Sequence, residues 1–98
     1  MNSTKELQER IYQNKVNHNF NTTDINKEFC LLYGEVAEAY DSWRRQKGDA
    51  GEELADIGIY LLGLSEILGI DLGKEIIKKM KINEKRVYKN GIKIKPDN

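Results

Sequence analysis

The amino-acid sequence predicts an all-α protein, a four-helix up-and-down bundle. Three observations favour this fold class. The single proline is Pro96, so no proline interrupts a helix before the C-terminal tail. Serine and aspartate residues stand where helices would begin, and glycines stand where they would end. Outside the tail, no segment alternates polar and apolar residues over the length of a strand. With 98 residues, the chain is expected to form a single domain, 1–98.

The first two helices are predicted from residues that suit helix N-termini. Ser3, with Glu6 three residues later, has the spacing of a capping box and opens the first helix. Either Thr23 or Asp24 can cap the second helix, after a polar segment that resembles a turn. This second helix contains Cys30 within an apolar run, where a small buried side chain is expected.

The last two helices follow from similar signals. Asp49 and Glu52 have the spacing of a second capping box, and Asp71 can open the fourth helix. Gly69 suits the left-handed residue that ends a helix, and the third helix, apolar nearly all round, is expected to be buried. The predicted helices cover residues 3–17, 24–43, 50–68 and 72–88, and the tail 89–98 is predicted to be loose.

Composition excludes several classes of function. Lysine plus arginine equals aspartate plus glutamate at 16 each, which argues against a nucleic-acid polymer or an anionic membrane surface as the partner. No apolar stretch is long enough to span a membrane, and one cysteine cannot form an internal disulfide. We therefore expect a cytoplasmic protein. Because a chain this short has a thin core, we also expect a homodimer or homotetramer.

Four acidic residues stand within the apolar parts of the second and third helices. Glu35 and Glu38 are three residues apart, as are Glu53 and Asp56, so each pair shares one helix face. In an antiparallel hairpin, residues equidistant from the turn face each other. The midpoints of 35 with 56 and of 38 with 53 coincide within the polar connection, so all four carboxylates should converge.

Carboxylates in apolar surroundings require neutralisation or a compensating cation, because burying an unpaired charge costs several kcal/mol. A cluster of carboxylate oxygens favours Mg²⁺, with Mn²⁺ as a substitute, over zinc. We expect Glu35, Glu38, Glu53 and Asp56 to bind the metal and to act in catalysis. The alternative interpretation is a solvated acidic face, which is common for single pairs at this spacing. Two symmetric pairs within apolar runs disfavour it.

The fourth helix carries residues suited to phosphate. Lys79, Asn83 and Arg86 follow one another along one side of the helix, and Asn83 also lies on the apolar stripe, so it should point inward. Beside a magnesium site they could hold the phosphates of a substrate. Trp43 and Tyr60 are candidates for stacking on a nucleobase, although either could equally be a core aromatic.

These motifs resemble the MazG-like nucleotide pyrophosphohydrolases, the all-alpha NTP pyrophosphatases. The resemblance covers about residues 20–86 and depends on three segments: GEVAEAYDSW from Gly34, EELADIGIYLL from Glu52 and KMKINEKR from Lys79. The family carries E-x-x-E, then E-x-x-D, then a downstream K-x-x-x-N-x-x-R, and all three are present here. Some members have a further glutamate at the position of Gly34, and many lack it.

The resemblance implies Mg²⁺-dependent cleavage of a nucleoside triphosphate between its α and β phosphates, releasing a nucleoside monophosphate and pyrophosphate. It also implies an oligomer of helical units. A carboxylate not fully engaged with metal can act as general base, and Glu35 and Glu38 are both candidates.

Two alternative functions remain open at this stage. Phosphoribosyl-ATP pyrophosphatase shares the architecture and the chemistry, and a helical interaction protein could keep the fold without activity. Retention of all four acids disfavours the second alternative. A calcium switch is excluded because the acids lie on helices and no D-x-D-x-D-G loop occurs.

Overall fold

The computed structural model describes residues 3–94 and confirms the all-α class. Most of this region is helical, and a small two-stranded hairpin follows the last helix. The elements are α1 (Thr4–Asn17), α2 (Ile25–Arg44), α3 (Ala50–Ile67), α4 (Leu72–Lys85), β1 (Tyr88–Lys89) and β2 (Ile92–Lys93).

Helix α3 is the centre of the packing, because both α1 and α2 pack against it. Helices α2 and α3 form an antiparallel hairpin whose tight turn uses positive φ angles at Gln46 (56°) and Gly48 (81°). Helix α1 runs antiparallel along the other side of α3. The ammonium of Lys5 near the start of α1 lies 2.6 Å from the carboxylate of Glu66 near the end of α3. Helix α4 lies against α1.

Side chains cap three of the four helices at the predicted positions. The hydroxyl of Ser3 accepts the backbone N–H of Glu6 at 3.1 Å. The carboxylate of Asp24 caps α2 and that of Asp71 caps α4, at 3.1 and 3.2 Å from the N–H groups they accept. Gly69 has the left-handed φ of 70° expected after α3. These local signals therefore set where the helices begin and where α3 ends.

The predicted capping box at Asp49 and Glu52 is wrong. Asp49 precedes α3, but its side chain makes no capping hydrogen bond. Instead, its Oδ1 accepts a hydrogen bond from the hydroxyl of the buried Ser42 on α2. Since this contact joins the two helices across their turn, Asp49 closes the hairpin rather than capping α3.

The C-terminal segment also differs from the prediction. Helix α4 ends at Lys85, three residues before the predicted end, and the tail is not loose where the structure describes it. Strands β1 and β2 pair antiparallel around Asn90 and Gly91, which have φ of 52° and 80°. Positive φ at both central residues is the geometry of a type I′ turn, for which Asn-Gly is the preferred pair. Residues 95–98 of the predicted loose tail lie outside the described residues.

Very little of the hydrophobic surface is covered within one chain. In residues 3–94, the hydrophobic side chains that are buried are Ala39 and Leu64. The expectation that Cys30 is buried is wrong, since it is exposed on α2. Helix α3 is covered on two sides only, and Leu54 remains 62 % exposed. Over the described part of the chain, no helix combines the length and the apolarity that a membrane span requires.

Candidate metal centre and substrate site

The α2–α3 hairpin brings three of the predicted carboxylates together. Glu35 and Glu38 lie one turn apart on α2, and Glu53 lies opposite them in the first turn of α3. One oxygen from each of the three side chains lies within 4.8 Å of the others. We call Glu35, Glu38 and Glu53 the acidic cluster. The antiparallel geometry of the hairpin places them together, as the symmetric spacing predicts.

Asp56 lies beside the acidic cluster, one turn after Glu53, but it is not one of the three residues whose oxygens lie within 4.8 Å of one another. It is half-buried. Its negative charge contributes to raising the pKa of both Glu35 and Glu53, so its carboxylate is close enough to act on them electrostatically. The structure thus places the fourth predicted residue as a neighbour of the acidic cluster.

Burial and mutual repulsion govern the protonation of the acidic cluster. Loss of hydration on burial is the main cause that raises the pKa of Glu35 above its ordinary value, followed by the charges of Glu38, Asp56 and Glu53. Burial also raises the pKa of Glu53, together with its acidic neighbours, first among them Asp49. The charged groups that set these two pKa values are all carboxylates.

Two oxygens of the acidic cluster have no partner. Glu35 Oε2 and Glu53 Oε2 are buried and make no hydrogen bond within the described region. An unsatisfied buried acceptor costs about 1–3 kcal/mol, and more when it is charged. Native proteins rarely leave such groups unpaired without a reason. Converging carboxylates with unpaired oxygens form a donor set suited to a hard divalent cation.

The predicted phosphate-binding residues lie on or just after α4, a helix that packs mainly on α1, whereas the acidic cluster lies on the α2–α3 hairpin. Lys79 and Asn83 are exposed on α4, so the prediction that Asn83 points inward is wrong within a single chain. Arg86 follows the end of α4, is half-buried, and donates its backbone N–H to the carbonyl of Asn83 at 3.2 Å. None of the residues of α4 is buried.

The two candidate aromatic residues line separate cavities. Trp43 is 67 % exposed and stands in an apolar groove of about 290 Å³ between α2 and α3, near the ring of Tyr40. Tyr60 is half-buried on the other side of α3, where the ammonium of Lys15 lies 5.8 Å from its ring centre. Burial, followed by the charge of Glu35, raises the pKa of Tyr60. Tyr60 is therefore the aromatic residue that interacts electrostatically with the acidic cluster.

Sequence reasoning missed a buried ion pair next to Tyr60. The Glu28 side chain is 1 % exposed, and its two oxygens accept hydrogen bonds from the Lys15 ammonium at 2.6 Å and the Asn21 amide at 3.1 Å. Glu28 stands seven residues before Glu35, so it occupies the same face of α2. This seven-residue spacing is the feature of the sequence that could have indicated the position of Glu28. Unlike the acidic cluster, this carboxylate is paired within the chain.

Comparison with known proteins gives one partial similarity. The chain is 48 % identical over 40 residues to a dATP/dGTP diphosphohydrolase of Salmonella phage PMBT28. The matched segment is 41 % of this chain and 13 % of that relative. No protein-family model matches the chain, and no solved structure matches it significantly. The similarity is therefore to a short part of a much longer protein.

Proposed function

We propose that this chain is a MazG-like, Mg²⁺-dependent nucleotide pyrophosphohydrolase that cleaves a nucleoside or deoxynucleoside triphosphate into the monophosphate and pyrophosphate. The observation that carries the proposal is the acidic cluster, with its buried, unpartnered oxygens on Glu35 and Glu53. The resemblance of the acidic motifs to this family supports the proposal. So does the partial similarity to a protein named as a dATP/dGTP diphosphohydrolase.

The donor set fits magnesium better than other biological metals. The acidic cluster offers carboxylate oxygens alone, and the one histidine of the chain, His18, lies on the connection after α1. Zinc sites usually contain histidine or cysteine, whereas Mg²⁺ and Mn²⁺ take oxygen ligands. Glu35, Glu38 and Glu53 would hold the cation, with Asp56 as the further ligand beside them. When bound, the cation supplies the positive charge that attracts the phosphate oxygens of the substrate.

The residues of the chain divide the remaining work. A carboxylate that is not fully engaged with the cation can accept a proton from the attacking water, and Glu35 and Glu38 are both candidates. In the metal-free chain, burial raises the pKa of the Glu35 carboxyl above its ordinary value. Of the two aromatic residues, Tyr60 is the better candidate to contact a nucleotide next to the acidic cluster, because the charge of Glu35 acts on it and contributes to raising its pKa.

The test is a pyrophosphate-release assay with purified protein and a panel of ribonucleoside and deoxyribonucleoside triphosphates that includes phosphoribosyl-ATP. Each substrate is incubated with Mg²⁺, with Mn²⁺ and with excess chelator. We expect pyrophosphate in the first two and none in the third. Release of orthophosphate alone would show that the assigned bond is wrong, and equal activity in chelator would exclude the metal site.

Two neighbouring acids on α3 provide a matched pair of variants. Glu53→Gln removes a member of the acidic cluster and should abolish measurable activity. Glu52→Gln removes an equal charge from an exposed side chain one residue earlier and should keep most of it. Equal loss in both variants would mean that general negative charge, and not the acidic cluster, supports the reaction.

A further inference from the structure

The α2–α3 hairpin is built from layers in which a residue of α2 faces a residue of α3. Nearest the turn, the hydroxyl of Ser42 donates a hydrogen bond to Asp49, and the acidic cluster follows one turn further along the helices. Beyond the acidic cluster, Leu31 and Tyr60 line one cavity of about 300 Å³. Successive layers lie about 5 Å apart, the length of one helical turn. The acidic cluster therefore lies between the turn of the hairpin and the cavity beside Tyr60.

The two ends of this row of layers differ in chemistry. The end at the cavity carries the aromatic side chains of Phe20 and Tyr60. The turn carries Arg44, Arg45 and Lys47, with no acidic residue between them. A nucleoside triphosphate has the same polarity, because its base is aromatic and its terminal phosphates are anionic.

Asp41 holds the two arginines on the side of α2 where the acidic cluster is open to solvent. Its Oδ1 accepts hydrogen bonds from Nη2 of Arg44 at 3.0 Å and from Nε of Arg45 at 3.1 Å. Asp41 stands three residues after Glu38, so the two carboxylates are neighbours on one helix face. Glu38 is the exposed member of the acidic cluster. The two guanidinium groups are thus held one helical turn beyond the exposed carboxylate of the acidic cluster.

One carboxylate does not neutralise two guanidinium groups. Asp41 supplies one negative charge, whereas Arg44 and Arg45 supply two positive charges on side chains that are 55 % and 60 % exposed. A guanidinium carries five N–H donors in a planar arrangement that matches two oxygens of a phosphate. One hydrogen bond to Asp41 therefore orients each arginine and leaves it donors for an anionic ligand.

We propose that Arg44 and Arg45, oriented by Asp41, bind the β and γ phosphates of the substrate and the pyrophosphate that is released. This inference rests on the proposed function and adds the orientation of the substrate to it. The base lies toward Tyr60, the α phosphate lies at the acidic cluster, and the terminal phosphates lie at the turn of the hairpin. The two arginines are binding residues, and Asp41 is a positioning residue that acts through them.

The opposite orientation would place the terminal phosphates at the far end of the hairpin. Two lysines line the cavity there, Lys15 and Lys27. The charge of Lys15 is compensated by the buried carboxylate of Glu28 at 2.6 Å, and Lys27 is a single exposed cation. Since the turn offers three cations against one acid, Asp41, the distribution of charge favours the terminal phosphates at the turn.

Inhibition by the two products tests this orientation. Pyrophosphate and a nucleoside monophosphate are each titrated, with Mg²⁺, against the hydrolysis of a nucleoside triphosphate. In Arg44→Gln with Arg45→Gln, inhibition by pyrophosphate should weaken by about tenfold or more, because hydrogen bonds between charged groups are lost. Inhibition by the monophosphate should stay close to that of the parent. Arg44→Lys with Arg45→Lys should recover part of the loss, since it keeps the charge without the planar donors.

A matched control removes the same charge elsewhere. Arg10→Gln with Lys74→Gln changes two exposed side chains, one on α1 and one on α4, and should leave both inhibition constants unchanged. Asp41→Asn keeps both arginines but removes the carboxylate that orients them. It should weaken inhibition by pyrophosphate less than the double glutamine variant does, and it should not change inhibition by the monophosphate.

Calorimetric titration of pyrophosphate with Mg²⁺ into the same proteins gives a readout that does not depend on activity. A parent that hydrolyses no triphosphate, but binds pyrophosphate through Arg44 and Arg45, would overturn the proposed function and keep this phosphate site. An active parent whose affinity for pyrophosphate is unchanged in the double glutamine variant, or falls equally in the control, would overturn the inference alone. A loss of affinity in Lys27→Gln in place of the arginine variant would also overturn it, because the substrate would then lie in the opposite direction.

Discussion

Removing one partner of the buried pair of Lys15 and Glu28 should destabilise the chain strongly. Their side chains are 11 % and 1 % exposed, and their charged atoms lie 2.6 Å apart. In Lys15→Met the carboxylate loses this partner but keeps its hydrogen bond to Asn21. Breaking a buried ion pair costs about 3–5 kcal/mol, and the remaining hydrogen bond puts this variant near the lower value.

The expected change is large enough to measure by thermal denaturation. For a domain of this length each kcal/mol shifts Tm by about 4–8 °C, so a loss of about 3 kcal/mol lowers Tm by about 12–24 °C. All melts are made in chelator and at one protein concentration, because subunit association also affects Tm. The exposed pair of Asp41 and Arg44 provides the control, since Asp41→Asn should leave Tm nearly unchanged.

A double variant distinguishes the effect of an unpaired buried charge from the effect of lost packing. Lys15→Met with Glu28→Leu removes both charges and keeps similar volume, so it should recover most of the stability that the single variant loses. The reasoning would be refuted if Lys15→Met melted within a few degrees of the parent. It would also be refuted if the double variant were as unstable as the single one, because the buried carboxylate would then not be the cause.

Three further predictions concern the metal site and the interface. In chelator, Glu53→Gln should melt at a higher temperature than the parent, because the substitution relieves repulsion within the acidic cluster. Excess Mg²⁺ should raise the Tm of the parent much more than that of the variant. A higher Tm of the parent than of the variant in chelator would contradict this. Because burial raises the pKa of Glu35 and Glu53 in the folded state, these two groups should destabilise the metal-free protein as the pH rises above the ordinary value of 4.5, with the penalty complete above the folded pKa and gone below 4.5. Melts of the parent and of Glu53→Gln from about pH 4.5 upward check this, since the loss of stability with rising pH should be smaller in the variant. The one tryptophan, Trp43, lies in the exposed groove, where a second copy would cover it. Dilution from micromolar to nanomolar protein should separate the copies, expose Trp43 to water and shift its fluorescence to the red. An unchanged spectrum would argue against a partner at this groove.

The features that were predicted correctly depend on local chemistry or on symmetry. The caps at Ser3, Asp24 and Asp71 need only a side-chain oxygen two or three residues before a free N–H. Because the donor and the acceptor are close in sequence, the sequence alone predicts the interaction. The convergence of Glu35 and Glu53 needs one more step, the antiparallel pairing of two helices joined by a short turn. Both kinds of inference use spacing along the chain, and the structure agrees with both.

The errors arise where a tertiary contact competes with a local one. Asp49 has the sequence of a cap, but its carboxylate accepts a hydrogen bond from Ser42 on the neighbouring helix. The helical stripe that predicts an inward Asn83 is present, yet the turn before α4 aims the helix away from the hairpin. The residue responsible, Gln8, bonds to groups 62 and 64 residues away, which no pattern in the sequence connects to it.

The single chain buries large polar side chains and exposes large apolar ones, and one explanation accounts for both observations. The largest fully buried side chains of the described region are Gln8 and Glu28, and both are satisfied by hydrogen bonds within the chain. Large apolar side chains lie outside on α2, α3 and α4. Buried polar pairs contribute little net stability but fix orientation, whereas apolar burial supplies most of the free energy of folding. We therefore propose that the chain sets the direction of its helices internally and takes much of its hydrophobic stabilisation from a second copy.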